Sequence, residues 1–335
     1  MPRSRALRGM TDRAILFLQL GGPETLAEVR GFLYRLFADP EVIRVRSGLL
    51  RRAIALSIAA ARGGTSKKMY ARIGGGSPIR RLTDEQSAGV EAILRARGRD
   101  AAVRTAMTCS KPLVEDVVAD LARSGASRFL ALPLYPQYSL TTTKGALDRS
   151  REAVVRFAPG SRLFETGSFP DHPGFLDAHA SLVRDELARF PDPSPEATYV
   201  LFSAHSIPRK LVDREGDPYP REVEATVAGI LDRLPSGTRH GLAYQSKLGP
   251  VEWLGPATAD RIAELGRAGQ RQVLVVPIAF VTDHIETLYE IDVLFADAAR
   301  AAGIAHFRRT PGLNAHPAFL GALADIADAR EDFWQ

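Results

Sequence analysis

The chain reads as an α/β protein made of two doubly wound, Rossmann-like domains with parallel sheets. Three observations predict this. Short runs rich in Val, Ile and Leu alternate with longer amphipathic segments along the whole length, the pattern of strands buried on both faces and separated by helices. The 335 residues suffice for two domains of ordinary size. The alternation breaks at Gly167-Ser-Phe-Pro-Asp-His-Pro173, which divides a first domain over 1–166 from a second over 167–308.

Taken in order, strands are expected at Ala14–Leu20, Ala101–Thr108, Arg128–Leu134, Arg162–Phe164, Thr198–Ser203, Gly241–Tyr244, Gln272–Phe280 and Ile304–Phe307. Helical spacing of apolar residues falls near 24–38, 48–62, 83–97, 113–124, 142–157, 173–189, 218–234, 256–268, 284–302 and 315–329. Start signals agree: Ser110-Lys-Pro-Leu113, Pro218 and Pro256 all stand where a first helical turn should open. In open parallel sheets ligands bind beyond the carboxyl ends of the strands. Functional residues are therefore expected in Gly21–Thr25, Met107–Pro112, Pro133–Thr143, Ala204–Pro208, Gln245–Pro250 and Val281–Glu290.

Composition narrows the class. Apolar residues at 45% and charged residues at 25% are globular values and exclude a disordered or fibrous chain. The single cysteine, Cys109, excludes an internal disulfide and a Cys-ligated zinc or iron–sulfur site, and points to a reducing compartment, the cytoplasm. The longest apolar stretch, Val273–Val281, falls far short of the roughly 20 residues of a membrane span. Arg3, Arg5, Arg8 and Arg13 before Ala14–Leu20 imitate a signal peptide, but Gly-Gly-Pro-Glu follows where a cleavage site should stand, so the run reads as a first buried strand. Net charge is +5, yet Val42–Thr83 carries ten Arg or Lys and no acid, leaving the rest at −5. Such asymmetry suits an anionic partner at one place and not a nucleic-acid coat.

Three segments carry chemistry. In Phe202-Ser-Ala-His205-Ser-Ile-Pro208 a histidine follows directly on a strand. Its imidazole can take a proton near neutral pH or ligate a metal, or simply bond a backbone carbonyl. The second is Val276-Pro-Ile-Ala-Phe280 running into Thr282-Asp283-His284-Ile-Glu286-Thr-Leu-Tyr-Glu290-Ile-Asp292, where Thr282–Ala299 holds five acids and no Lys or Arg. On an α-helix Asp283, Glu286 and Glu290 would share one face and repel one another. Acids at a helix start favour its dipole, which accounts for the first two but not for Glu290 or Asp292. An oxygen and imidazole set of this kind suits a loosely held divalent iron, zinc or manganese, or protons leaving a buried site. The third is Tyr70-Ala-Arg72-Ile-Gly-Gly-Gly-Ser-Pro-Ile79, whose glycines allow close approach and whose Arg72 can grip a carboxylate. Just upstream, the apolar segment Leu49–Ala61 with its flanking arginines is either a core helix or a surface that touches membrane or covers an apolar ligand.

Together these segments resemble the ferrochelatase family. The resemblance spans nearly the whole chain, from Leu18-Gln-Leu-Gly-Gly-Pro-Glu-Thr25 to Asn314-Ala-His-Pro317, and includes Arg72–Ile79, Tyr135-Pro-Gln-Tyr138-Ser139, Phe202–Pro208, Gly216-Asp-Pro-Tyr-Pro220, Gln245-Ser-Lys-Leu-Gly-Pro250, Trp253-Leu-Gly-Pro256 and Thr282–Asp292. It implies a cleft between the two domains, with a C-terminal helix over 309–335 packing back onto the first, and insertion of ferrous iron into protoporphyrin IX, the last step of haem synthesis, with iron as substrate and no tightly bound cofactor or iron–sulfur cluster. By position, His205 is similar to the family's catalytic and metal-holding histidine and Glu286 to its partner carboxylate. Asp283, His284 and Glu290 resemble the rest of a proton or metal pathway. Arg72, Tyr138, Trp253 and Phe280 resemble substrate-binding positions. The chain departs from the family at Thr108-Cys109, where many members carry Arg-Tyr. A monomer without nucleic acid, with a peripheral membrane contact, fits the resemblance. Two other readings stay open: a non-catalytic porphyrin or haem carrier, and a chelatase for another tetrapyrrole, taking coproporphyrin or inserting cobalt.

Overall fold

The computed structural model describes residues 11–247, 249 and 251–335. Arg3, Arg5 and Arg8, and the Leu248 and Pro250 positions of one strand-end segment, lie outside them. Strands β1 (Arg13–Gln19), β2 (Ala102–Met107), β3 (Arg128–Pro133) and β4 (Arg162–Glu165) form a parallel sheet in the order β2-β1-β3-β4. Strands β5 (Thr198–His205), β6 (His240–Gln245), β7 (Gln272–Pro277) and β8 (His306–Arg309) form a second in the order β6-β5-β7-β8. One topology is thus used twice, although no sequence period announces it. Ala14–Leu18 of β1 and Val200–Phe202 of β5 are wholly buried, as the continuous apolar runs require of central strands covered on both faces. β7 stops three residues short of the expected Phe280, at Pro277, which has no N–H with which to extend the ladder.

The helices are α1 (Val29–Ala38), α2 (Gly48–Arg72), α3 (Ile79–Ala96), α4 (Val114–Arg123), α5 (Gly145–Phe157), α6 (Pro173–Leu187), α7 (Arg209–Glu215), α8 (Tyr219–Leu231), α9 (Thr258–Arg267), α10 (Ala296–Ala301), α11 (Pro317–Asp328) and α12 (Glu331–Trp334). Ser47 caps α2, its side chain accepting from the Leu50 N–H. The helix then runs ten residues beyond its expected end, straight through Gly63-Gly64. The reason is packing: α2 lies on α1, and a Cβ at Gly63 would stand 2.7 Å from Cγ of Arg30. Two stretches expected as α-helix are wound as wider π-helical turns, Leu140–Lys144 and Glu286–Phe295.

The C-terminal segment is not one helix from residue 309. Arg309 closes β8, and α11 packs on both α3 and α6, burying Phe319 and Leu323 completely. Each such side chain contributes about 1.5–3 kcal/mol. α12 ends against the first sheet. Arg13 of β1 donates to the carbonyls of Phe333 (3.2 Å) and Trp334 (2.8 Å), and Arg128 of β3 donates to that of Phe333 at 3.0 Å.

Candidate active site

Both sheet orders reverse between their second and third strands, where a crevice opens at the carboxyl ends. The two crevices meet in one open cleft. From the first sheet come Gln19, Leu20, Leu134, Tyr135, Gln137 and Ser139; from the second come His205, Ala279, Phe280, His284 and Glu286. The halves are fastened across it. Gln137 Nε2 donates to Thr226 Oγ1 at 2.9 Å and the Tyr138 N–H to Glu222 at 2.7 Å. The buried Asp217 accepts from Ser139 Oγ and the Leu140 N–H, both at 2.9 Å. The cleft is therefore shaped before any ligand arrives.

His205 is the last residue of β5, and its Nδ1 lies 2.8 Å from Oε2 of Glu286, the first residue of the π-helical segment. About a third of the imidazole faces the cleft. Burial favours its neutral form, but the Glu286 carboxylate beside it and Glu290 behind outweigh this and raise its pKa above the usual histidine value. The same contact holds Glu286 well below the usual carboxylate range, against the effect of its own burial. Glu290 is pushed the other way, by burial and by the charge of Glu286. Its partners come from the end of β6: Gln245 Nε2 at 3.0 Å and the Ser246 N–H at 3.1 Å. Ser246 Oγ also donates to Glu286 Oε2 at 2.8 Å and contacts Glu290 Oε2. One hydroxyl hydrogen serves one carboxylate at a time.

The expected row of acids on one α-helical face is corrected in two respects. The wider turn stacks Glu286 and Glu290, four apart, without the third. Asp283 precedes the turn and points the other way. It accepts from Arg309 and Asn314, both at 2.9 Å, from Thr287 Oγ1 at 2.8 Å and from the Gly312 N–H at 3.2 Å. Burial would raise its pKa, but Arg309 and these donors hold it down. Asp292 is neutralised in turn, bidentate to Arg309 at 2.7 and 2.9 Å. So two of the acids pair with one arginine, while Glu286 and Glu290 have no Lys or Arg partner among the described residues. His284 lines the cleft with Nδ1 held by the Thr282 carbonyl at 3.1 Å, and burial lowers its pKa. Phe280 stands edge-on between His284, with ring centres 4.6 Å apart, and His205, at 6.0 Å.

The other expected positions are dispersed. Arg72 ends α2, exposed, with its guanidinium 5.8 Å from the Tyr289 ring, so the two halves approach each other there too. Tyr138 is not on the cleft wall: residues 135, 137 and 139 alternate onto it and leave Tyr138 on the other side of the segment. Trp253 is likewise off the wall, bridged to Pro208 behind the loop that follows His205. Thr108 and Cys109 are buried, and Arg149 and Arg35 dock on their carbonyls, the latter at 2.6 Å. Sequence reasoning passed over Ser246, Gln245 and Tyr219. The first two lay in a strand-end segment already marked for inspection, and Tyr219 stood in the Gly216–Pro220 motif without being singled out; its hydroxyl is buried on the cleft wall without a hydrogen-bond partner among the described residues.

Comparisons with known proteins agree with this architecture. The model of the ferrochelatase family matches residues 12–331. A ferrochelatase of Synechococcus sp. (strain JA-2-3B'a(2-13)) is 47% identical over 320 residues, covering 95% of this chain and 92% of its own. One from a Nostoc species is 42% identical over 315 residues, covering 93% and 80%. Among solved structures, SirB from Bacillus subtilis with Fe3+ has a TM-score of 0.55 at 13% identity, covering 75% of this chain and 90% of its own. The sirohydrochlorin chelatase SirB from Bacillus subtilis subspecies spizizenii with cobalt has a TM-score of 0.52 at 15%, covering 76% and 93%. Those two likenesses speak to the fold. With nearly every described element inside the matched range, this chain belongs to the ferrochelatase family.

Proposed function

We propose that this chain inserts ferrous iron into protoporphyrin IX held in the cleft, giving protohaem in the last step of haem synthesis. The observation that carries the reading is the His205–Glu286 pair on the wall of a cleft built by a ferrochelatase-family chain. Free porphyrin holds two pyrrole N–H protons, and both must leave as Fe2+ enters, so two protons are released for each haem formed. His205 Nε2, the ring nitrogen not committed to Glu286, is the group to take them, with Glu286 stabilising the imidazolium. Glu290, unneutralised and next in line, passes protons or iron onward. Asp283 belongs to the support: with Arg309 and Asn314 it fixes the turn that aims His284 and Glu286.

Arg72 takes a propionate at the mouth, and Phe280 and Tyr135 offer apolar faces to the ring. The lip beyond Arg72 carries Leu49, 81% exposed, and Leu56, 63% exposed, beside Arg46, Arg52 and Arg62, which have no ion-pair partner among the described residues. Such a surface suits a peripheral membrane contact through which an apolar substrate arrives. No helix is long and apolar enough to cross a membrane among the described residues.

The test is anaerobic mixing of the purified protein with protoporphyrin IX and Fe2+ or Zn2+, followed by visible spectroscopy. Collapse of the four bands of free porphyrin to the two of the metallated ring is expected. Porphyrin that binds with its four bands unchanged would make the protein a carrier.

A further inference from the structure

Ser246 has a left-handed backbone, with φ of 67°, a conformation that residues with a Cβ adopt at a cost. The residue before it, Gln245, is paired in register with His205 across β5 and β6. Gln245 is almost fully buried, and every polar atom of its side chain is used. Its Oε1 accepts from Ser203 Oγ at 2.7 Å, and its Nε2 donates to the backbone carbonyl of Glu286 and to Glu290 Oε2, both at 3.0 Å. The left-handed turn then brings the Ser246 N–H to Glu290 and its Oγ to both carboxylates. Thus β5 holds Glu286 from one side through His205, and the end of β6 holds it from the other.

We propose that Gln245 and Ser246 form a clamp that sets the position of Glu286 and its spacing from Glu290, Ser246 being a positioning residue for the metallation reaction. The inference rests on the function proposed above. A glycine would relax the backbone at this point and keep the N–H bond to Glu290; what only a hydroxyl-bearing side chain adds is the bridge between the two acids. The side chain is held in a costly conformation where its oxygen reaches both.

Stability and rate should therefore run in opposite orders. Ser246→Gly relieves the backbone and deletes the bridge, whereas Ser246→Thr keeps the hydroxyl and adds a β-branch at positive φ. The Gly variant should melt at or above the native temperature, with kcat about tenfold lower and the KM for protoporphyrin within about twofold of native. The Thr variant should melt lower yet recover most of the lost kcat. A Gly variant with native kcat, or rates that simply follow melting temperature across both variants, would overturn the clamp while leaving His205 and Glu286 in place. If the native protein itself does not metallate porphyrin, the function falls and the clamp with it. Native turnover abolished by His205→Ala, alongside an unaffected Gly variant, isolates failure of the clamp alone.

Discussion

The C-terminal wall of the cleft and the N-terminal lip outside it are built on opposite principles. On the C-terminal side, His205, Glu286 and Glu290 are fixed by donors from two strand ends, and each is displaced from its ordinary pKa, His205 and Glu286 by one another and Glu290 by burial and the charge of Glu286. On the N-terminal side, the lip around α1 and α2 has exposed leucines and several cations without acidic partners among the described residues. Of its satisfied arginines, Arg51 caps backbone, donating to the carbonyls of Ala38 and Val45, both at 2.9 Å, while Arg44 pairs with Glu41 and Glu215. Chemistry that moves protons needs groups held to within a fraction of an ångström. A surface that receives a large apolar ring with charged edges needs area and charge, and gains from being open.

The contrast is sharpened first where the largest effect is expected. His205→Ala and Glu286→Gln should each lower metallation at least about a hundredfold while fluorescence quenching shows porphyrin still bound. Loss of binding with loss of rate would erase the division of labour. Asp283→Asn, which leaves Arg309 short of a charge in a buried turn, should cost about 2 kcal/mol in urea unfolding. Its rate should fall less than that of the Glu286 variant.

The pair should also leave a pH signature that the lip lacks. His205 has a raised pKa, so its contribution to stability is full below the ordinary histidine value of about 6.5 and is lost as pH rises through the raised one. Glu286 has a lowered pKa, so its contribution is full above about 4.3 and is lost as pH falls through the lowered one. The stability gap between native protein and Glu286→Gln should thus be widest between those values and shrink on the alkaline side. In the same variant the NMR titration of His205 should move to lower pH, because burial then acts on it with one fewer opposing charge. A gap unchanged from acid to alkali would break the assignment.

Smaller effects belong to the lip. Arg72→Ala should weaken porphyrin binding about fivefold, the scale of one exposed ion pair or somewhat more, with little change in kcat. Leu56→Ser should alter folding stability by less than about 0.5 kcal/mol, a null result that a core leucine would not give. If either lip variant shifted the pH profile, the wall and the lip would not be independent.

The central strands β1, β3, β5 and β7 were the most legible in the sequence, because a strand buried on both faces writes itself as an unbroken apolar run, whereas the edge strands β4 and β8 are short and only partly buried, and β8 lies two residues beyond its expected place. The strand-end rule then marked the segments holding His205, Gln245 and Glu286 before their geometry was known. What stayed hidden was long-range or depended on helix type. The spacing of Asp283, Glu286 and Glu290 was interpreted on α-helical geometry, whereas a π-helical turn selects the last two and frees Asp283 to meet Arg309, 26 residues away. Tyr138 and Tyr135 stand in the same motif, and only the path of the backbone decides which faces the cleft. The continuation of α2 through two glycines depends on Arg30 of a different helix, which no local pattern records.

The anchoring of Phe333 and Trp334 on Arg13 and Arg128 sets the order of synthesis against the order of completion. β1 and β3 leave the ribosome early, yet the helices that cover their flank are translated last. A nascent chain holding only the first sheet carries an unfinished edge through the whole elongation of the second half. It is in that interval that a folding helper has something to shield.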